Sequence, residues 1–234
     1  MRDLNKSFYT IRIGLTNCYL IRGSEGYILI DTGVPNKVYR LWNFLKQNQI
    51  DLSQIKLIVL THSHYDHVGN VREIKKETNA KVLIHEREAT FLQRGESERK
   101  LKPTSKIGKI FLLLSKFMKT KFDPVDPDIV IKDTYYLDDY GIEGKVIHTP
   151  GHTIGSISVI LQTGEAFVGD LVMNRFPSNL FSYAPIFADD LELLYKSWEM
   201  LLEENIKVIY PAHGKPLKPN KLSKGLTYSG RNMH

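Results

Sequence analysis

Thr61-His62-Ser63-His64-Tyr65-Asp66-His67 sets three imidazoles and a carboxylate within seven residues, directly after the short run Lys56–Leu60. On an extended segment, side chains two apart share a side, so His62 and His64 can grip one metal ion together. The turn into a following helix then redirects Asp66 and His67 to a neighbouring position, and one heptapeptide can serve two ions. Neutral imidazole and ionised carboxylate suit Zn²⁺ at about 2.0–2.2 Å, and the same N/O set suits iron or manganese. Three further residues end short apolar runs. His152 lies in Thr149-Pro150-Gly151-His152-Thr153, Asp170 follows Ala-Phe-Val-Gly, and His213 closes Ile-Lys-Val-Ile-Tyr-Pro-Ala-His. Five histidines and two aspartates fill two sites with one shared carboxylate. HxHxDH alone also fits a polar loop; the other three at matching strand ends make that reading untenable.

The elements around these residues must deliver them to one place. Alternating or apolar runs predict strands over Phe8–Ile13, Cys18–Ile21, Tyr27–Ile30, Lys56–Leu60, Lys81–Ile84, Ile129–Ile131, Gly144–Ile147, Ser156–Leu161, Ala166–Val168 and Lys207–Tyr210. Helices are expected over Lys37–Gln47, with Val38, Leu41, Trp42 and Leu45 on one stripe, over Val68–Glu77, and over Leu191–Glu203. Between about Glu86 and Phe122 the pattern turns helical and basic. The Lys- and Pro-rich tail from Pro216 is expected to pack loosely. Two stretches echo each other: GYILIDTG, a helix with Trp42, then IKLIVLTH; and GEAFVGDL, a helix with Trp198, then IKVIYPAH. Each half delivers an Asp and a His from strand ends to a shared edge, where layered α/β folds place their chemistry.

Composition bounds the rest. The 234 residues suit one compact domain. The balance of 42% hydrophobic and 25% charged residues is that of a globular protein. Cys18 is the sole cysteine, so no intrachain disulfide forms, and it reads as a small buried hydrophobe. The first residues lack the apolar stretch of a secretory signal, and no run approaches the ~20 apolar residues of a membrane span. A cytoplasmic protein is expected. The net charge of +6 is local: nine basic and two acidic residues lie between Arg94 and Lys121, leaving the remainder slightly acidic. With the tail cluster Lys215, Lys218, Lys221, Lys224 and Arg231, this reads as solvated surface rather than a nucleic-acid site. His85 and His148 fall outside the ligand pattern and read as hydrogen-bonded structural residues. His234 ends the chain and reads as solvated.

The order His62-x-His64-x-Asp66-His67, then His152, Asp170 and His213, resembles the signature of the metallo-beta-lactamase superfamily from about Phe8 to Pro216. The resemblance implies an α/β four-layer αββα sandwich over residues 1–234, one domain with a helical lid insertion at about 86–125. It implies that His62, His64 and His152 hold one ion, that Asp66, His67 and His213 hold the second, and that Asp170 bridges. Asp31, in Ile30-Asp31-Thr32-Gly33, matches the family aspartate that buttresses the ligand loop, although it also reads as a plain turn residue.

The implied function is a metallo-hydrolase acting on a small-molecule ester, thioester or lactone through a hydroxide bridging two divalent ions, zinc first among them, with Asp66 passing a proton to the leaving group. Antibiotic-cleaving lactamases lack a bridging Asp at the position of Asp170. Diiron flavoproteins carry Glu at that of His64. Hydroxyacylglutathione hydrolases share the metal set but add a C-terminal helical region, and quorum-quenching lactonases carry a Tyr shortly after the bridging Asp, where this chain has Leu171-Val172-Met173-Asn174. Alternatives within the resemblance are an iron-dependent persulfide dioxygenase-like enzyme and a ribonuclease Z-like phosphodiesterase. Over Ile107–Phe122 the spacing gathers Ile107, Ile110, Phe111, Leu114, Phe117, Met118 and Phe122 on one helical face. That face suits a substrate-selecting lid or an ordinary core helix.

Overall fold

The computed structural model describes residues 7–97, 102–105, 108–110, 120–176, 178 and 182–228. The chain begins with β1 (Phe8–Ile13), β2 (Thr16–Gly23) and β3 (Gly26–Ile30), an antiparallel meander in which β1 alternates buried Ile11 and Ile13 with exposed Thr10 and Arg12. From β3 the chain crosses over through α1 (Tyr39–Asn48) to β4 (Ile55–Val59), which pairs parallel to β3. A one-turn helix α2 (Tyr65–Val68) and then α3 (Val71–Thr78) lead to β5 (Lys81–His85), α4 (Glu86–Arg94) and β6 (Ile129–Ile131). The first sheet has the order β1-β2-β3-β4-β5-β6.

The second sheet is built from β7 (Tyr135–Tyr136), β8 (Gly144–His148), β9 (Ile157–Leu161) and β10 (Glu165–Phe167), joined by β12 (Val208–Tyr210), in the order β12-β10-β9-β8-β7. Between β10 and β12 run β11 (Met173–Asn174) and α5 (Leu191–Glu203); β13 (His213–Gly214) pairs parallel to β11, and α6 (Asn220–Tyr228) follows. The strands β7, β11 and β13 are two residues long, too short to carry an alternation pattern. The continuous helix expected over Val68–Glu77 is two helices, split at Gly69–Asn70.

Three buried clusters define four layers. Leu29, Ile58, Val82 and Ile84 face outward from the first sheet onto Leu41, Leu45, Val71, Ile74 and Leu92 of its helices. Their alternate neighbours Ile28, Ile30, Leu57, Val59 and Leu83 face the other way, onto Val146, Val159 and Phe167 of the second sheet. The outer face of the second sheet, with Ile160, Ala166 and Ile209, packs on Leu194, Trp198 and Leu201. Strands buried on both faces are those that read as continuous apolar runs. The result is the αββα sandwich.

The tail departs from the loose packing expected of it. Leu222 and Leu226, spaced to share one face of α6, are both 0% exposed and join the same cluster as Trp198. The lysines around them mask this face in composition, because Lys218, Lys221 and Lys224 are exposed. Leu226→Ala should therefore lower unfolding free energy by about 2–5 kcal/mol, as removal of a buried leucine does; a loss below about 0.5 kcal/mol in urea denaturation would show that the helix is not part of the core.

The amphipathic reading of Ile107–Phe122 lies largely outside the described residues. Among those described, 108–110 are helical and Ile110 is 60% exposed. Phe122 departs from the expectation: it follows an isolated bridge at Glu96–Lys121 and packs into the core beneath the first sheet, its N–H donating to Gly95 O at 3.1 Å. No described helix is long and apolar enough to cross a membrane.

Candidate metal centre

All the candidate residues sit at or beyond the C-terminal ends of strands. Asp31 follows β3, His62 follows β4, His152 follows β8, Asp170 follows β10 and His213 follows β12. The two echoing halves each make a parallel pair, β3 with β4 and β10 with β12, so each presents an Asp and a His at the same edge. Two backbone bonds close the sheets over that edge: Ile157 N–H donates to Thr61 O at 2.9 Å, and Asn17 N–H to Ala212 O at 2.8 Å.

Three clusters of potential ligand atoms form there: His62, His64 and His152; His62, His67 and Asp170; and Asp66, His67 and His213. In the first, His64 Nδ1 stands 3.0 Å from His62 Nε2 and 3.1 Å from His152 Nε2. Donors at about 2.0–2.1 Å from a tetrahedral ion lie about 3.3 Å apart, close to that spacing. In the third, His213 Nε2 lies 3.2 Å from Asp66 Oδ2. Asp170 faces both ways. Its Oδ1 is 3.4 Å from His213 Nε2 and 3.5 Å from His67 Nε2, while Oδ2 is 3.7 Å from His152 Nε2.

The opposite edges of the rings explain this aim. His152 Nδ1 lies 3.0 Å from Phe187 O, and His213 Nδ1 lies 3.1 Å from Leu15 O. A carbonyl only accepts, so each Nδ1 carries a proton and Nε2 is the atom turned toward the centre. His67 Nδ1 lies 2.8 Å from Asp31 Oδ2. Asp31 itself is 1% exposed, adopts φ +58°, and accepts from Thr61 N–H at 2.9 Å. It thus stands behind His67, outside the three clusters. Left-handed backbone, which Asp tolerates better than most residues, turns its carboxylate inward from the end of β3.

Buried atoms without partners mark where a cation belongs. His67 Nε2 and Asp170 Oδ1 are buried and have no hydrogen-bond partner among the described residues, a costly state unless a further group satisfies them. The charges agree. Burial, helped by neighbouring imidazoles, holds His62 and His64 well below the usual histidine range, His64 at about 3. Burial works against charge on His67 and His213 too, but the carboxylates of Asp31, Asp170 and Asp66 around the first, and Asp170 and Asp66 around the second, outweigh it and push both up. Burial opposes ionisation of Asp66, yet His67 and His213 pull it down to about 2, and Asp170 is held low by the same pair. One side of the centre is neutral imidazole; the other is anionic and recruits positive charge. This donor set fits divalent metal.

His85 and His148 lie apart, stacked with ring centroids 4.0 Å apart. His85 Nε2 bonds Lys132 O at 3.0 Å and His148 Nε2 bonds Ile154 O at 2.8 Å, so both hold backbone. Cys18 is fully buried, and burial pushes its thiol up. His234 lies outside the described residues. Sequence reasoning passed over Glu88, which is 1% exposed and bonded to the ligand loops; as an acid in the first turn of a helix it looked like ordinary surface. It also missed the start of β2, where Thr16 Oγ1 donates to Asp66 O at 2.8 Å and Asn17 Nδ2 to Gly214 O at 2.9 Å.

Comparison with known proteins agrees with this geometry. The chain is 31% identical over 180 residues to the probable metallo-hydrolase YflN of Bacillus subtilis, an alignment covering 72% of this chain and 65% of that protein. The chain thus spans just under two thirds of that relative's length. It is 30% identical over 209 residues to a probable metallo-hydrolase of Methanocaldococcus jannaschii, covering 86% and 88%. The crystal structure of an archaeal metallo-beta-lactamase superfamily protein from Sulfolobus tokodaii superposes with a TM-score of 0.66 at 24% identity, over 95% and 85% of the two chains. The sequence profile of the metallo-beta-lactamase superfamily matches residues 11–213, and to that superfamily this chain belongs.

Proposed function

We propose that the protein is a metallo-hydrolase that opens a small ester, thioester or lactone with two divalent cations, zinc first among them and iron or manganese also suited. His62, His64 and His152 would hold one cation, Asp66, His67 and His213 the other, and Asp170 would bridge. The observation that carries this reading is the division of Asp170, with Oδ1 toward His67 and His213 and Oδ2 toward His152. The relatives named as probable metallo-hydrolases support it. Asp31 would act through His67, fixing its ring.

Bound there, divalent cations supply Lewis acidity for a carbonyl oxygen and acidify water toward a pKa of about 7. The protein's own groups do the rest. Asp66 has the more open carboxylate, 21% exposed against 8% for Asp170, so it is the one that can meet the substrate, hold a proton at a carboxylate oxygen and return it to the leaving group. Asp170, deeper and flanked by His67, His152 and His213, stays ionised. Leu15, whose carbonyl holds His213, is 53% exposed, and Ile154, two residues past His152, is 40% exposed. These exposed apolar residues, close in sequence to groups that hold the centre, support an acyl substrate over a phosphodiester. The insertion also borders the site: Thr104 N–H donates to Ile186 O, and Ala188 N–H to Lys102 O, both at 3.0 Å, next to the Phe187 carbonyl that orients His152. We read it as a substrate-selecting lid on a single domain. The lone buried Cys18 suits a reducing compartment, and we propose the cytoplasm.

The test is elemental analysis followed by assay of the zinc-loaded protein on esters, thioesters, lactones and phosphodiesters, with oxygen uptake followed in the iron-loaded form. We expect close to two ions per chain, turnover of an acyl substrate, its loss with a chelator and recovery with zinc. Oxygen consumption with a persulfide and no acyl turnover would move the protein to the dioxygenase class. Failure to bind any metal after reconstitution would end the reading.

A further inference from the structure

Glu88 is the third residue of α4, where an acid ordinarily sits in solvent near the positive end of a helix. Here it is 1% exposed. Its Oε2 accepts from Ser63 N–H at 2.9 Å and from Ser63 Oγ, and its Oε1 accepts from Gly155 N–H at 3.2 Å. Ser63 lies between His62 and His64. On that extended segment the two imidazoles point to the metal centre and the intervening serine points away, into the carboxylate. Gly155 lies three residues past His152, in a turn closed by Thr149 N–H to Ser156 O at 2.8 Å and by Thr153 N–H to Ser156 Oγ at 3.1 Å.

The contact leaves no slack. A Cβ at position 155 would stand 2.5 Å from Glu88 Cγ and 2.7 Å from its Oε1, so glycine is required for the carboxylate to reach the backbone. The heptapeptide issues from β4 of the first sheet and the His152 turn from β8 of the second. One buried side chain therefore joins the two segments that bring His64 Nδ1 and His152 Nε2 within 3.1 Å. The segment bearing Asp66 and His67 is held by other groups, Asp31 behind His67 and Thr16 on the Asp66 carbonyl.

We propose that Glu88 is a positioning residue that sets the spacing of His62 and His64 against His152 and so tunes one cation site selectively, an inference that rests on the metal centre proposed above. Glu88→Gln preserves size but turns one oxygen into a donor, which must face either the Ser63 or the Gly155 N–H. Two backgrounds isolate the sites: His67→Ala leaves the three-histidine site, and His64→Ala leaves the other. Zn²⁺ affinity is read by competition with a chelating indicator, and the fold by the melting temperature of the metal-free protein.

In the His67→Ala background, Glu88→Gln should weaken Zn²⁺ binding about 10–100-fold, the usual effect of disturbing groups behind metal ligands. In the His64→Ala background the change should stay within about twofold, on the same argument. Equal weakening in both backgrounds, or none in the first, overturns the proposal and leaves Glu88 a structural residue. Should the Gln variant not fold, Ser63→Ala, which removes one of the three donors, must show the same selectivity at smaller size; unchanged affinity there overturns it equally. Wild-type protein that binds no Zn²⁺ defeats the metal centre itself, and is seen before any Glu88 variant is measured.

Discussion

On the function proposed above, Asp170→Ala protein is expected to retain neither cation and to lose acyl hydrolysis by about a thousandfold, since bound ions would supply several kcal/mol of transition-state stabilisation at about 1.4 kcal/mol per tenfold. The reason is positional. Among the described residues, Asp170 is the one carboxylate with an oxygen toward each set of histidines, 3.5 Å from His67 Nε2 on one side and 3.7 Å from His152 Nε2 on the other. Without it, His67, His213 and His152 keep their rings but lose the negative charge that makes a cation favourable between them. His67→Ala should behave differently, mainly weakening the cation held with Asp66 and His213. Elemental analysis of the two variants side by side checks this. An Asp170→Ala protein that keeps one tightly held ion and a tenth or more of its activity would show that the carboxylate does not bridge.

Trp198→Ala is expected to cost about 3–5 kcal/mol of stability, enough to bring a typical domain of 5–15 kcal/mol near its threshold. Trp198 is fully buried on the outer face of the second sheet, beside Leu194 and Leu201 of its own helix and the α6 leucines. Its Nε1–H donates to Leu171 O at 2.9 Å, the residue after Asp170. Trp198→Phe keeps most of the apolar volume and leaves that carbonyl without its donor, which should cost about 1–3 kcal/mol. Urea denaturation of the metal-free proteins separates the two. If the alanine variant loses under 1 kcal/mol, this helix is not what closes the second outer layer. The echoing tryptophan Trp42 is only half-buried, so the same substitution there should cost clearly less. The repeat conserves topology, not packing.

The two substitutions act at different levels of one structure. Trp198 holds the helix whose N-terminal half receives the His152 loop: Asp190 N–H, at the cap, donates to Gly151 O at 3.1 Å, and Ser197 Oγ to Pro150 O at 2.6 Å. Gly151 is required there, with φ +137° and a Cβ that would fall 2.3 Å from Leu194 backbone. Destabilising that helix should therefore loosen His152 before it disturbs the His62–His67 loop.

The sequence by itself determined the parts that spacing controls. His62, His64, Asp66 and His67 lie within six residues, so the alternation of an extended segment and the start of α2 set their general directions, which Asp31, Thr16 and Glu88 then fix from afar. His152, Asp170 and His213 follow short strands with apolar centres, which makes those strands visible in composition. The parallel pairs β3–β4 and β10–β12 were legible as an echo for the same reason. What only the tertiary structure decided were the partners brought from far along the chain. The family resemblance gave Asp31 a buttressing place, but no spacing along the chain showed that its partner is a ring 36 positions away, 2.8 Å from its carboxylate. Glu88 looks like a surface acid until its carboxylate meets backbone 25 and 67 positions distant. The tail reads as solvated because lysine dominates its composition, while Leu222 and Leu226 reach the core only because the second sheet leaves a face for them to cover. Local sequence sets the direction of a side chain; which group waits there depends on how the layers pack, and no spacing along the chain encodes it.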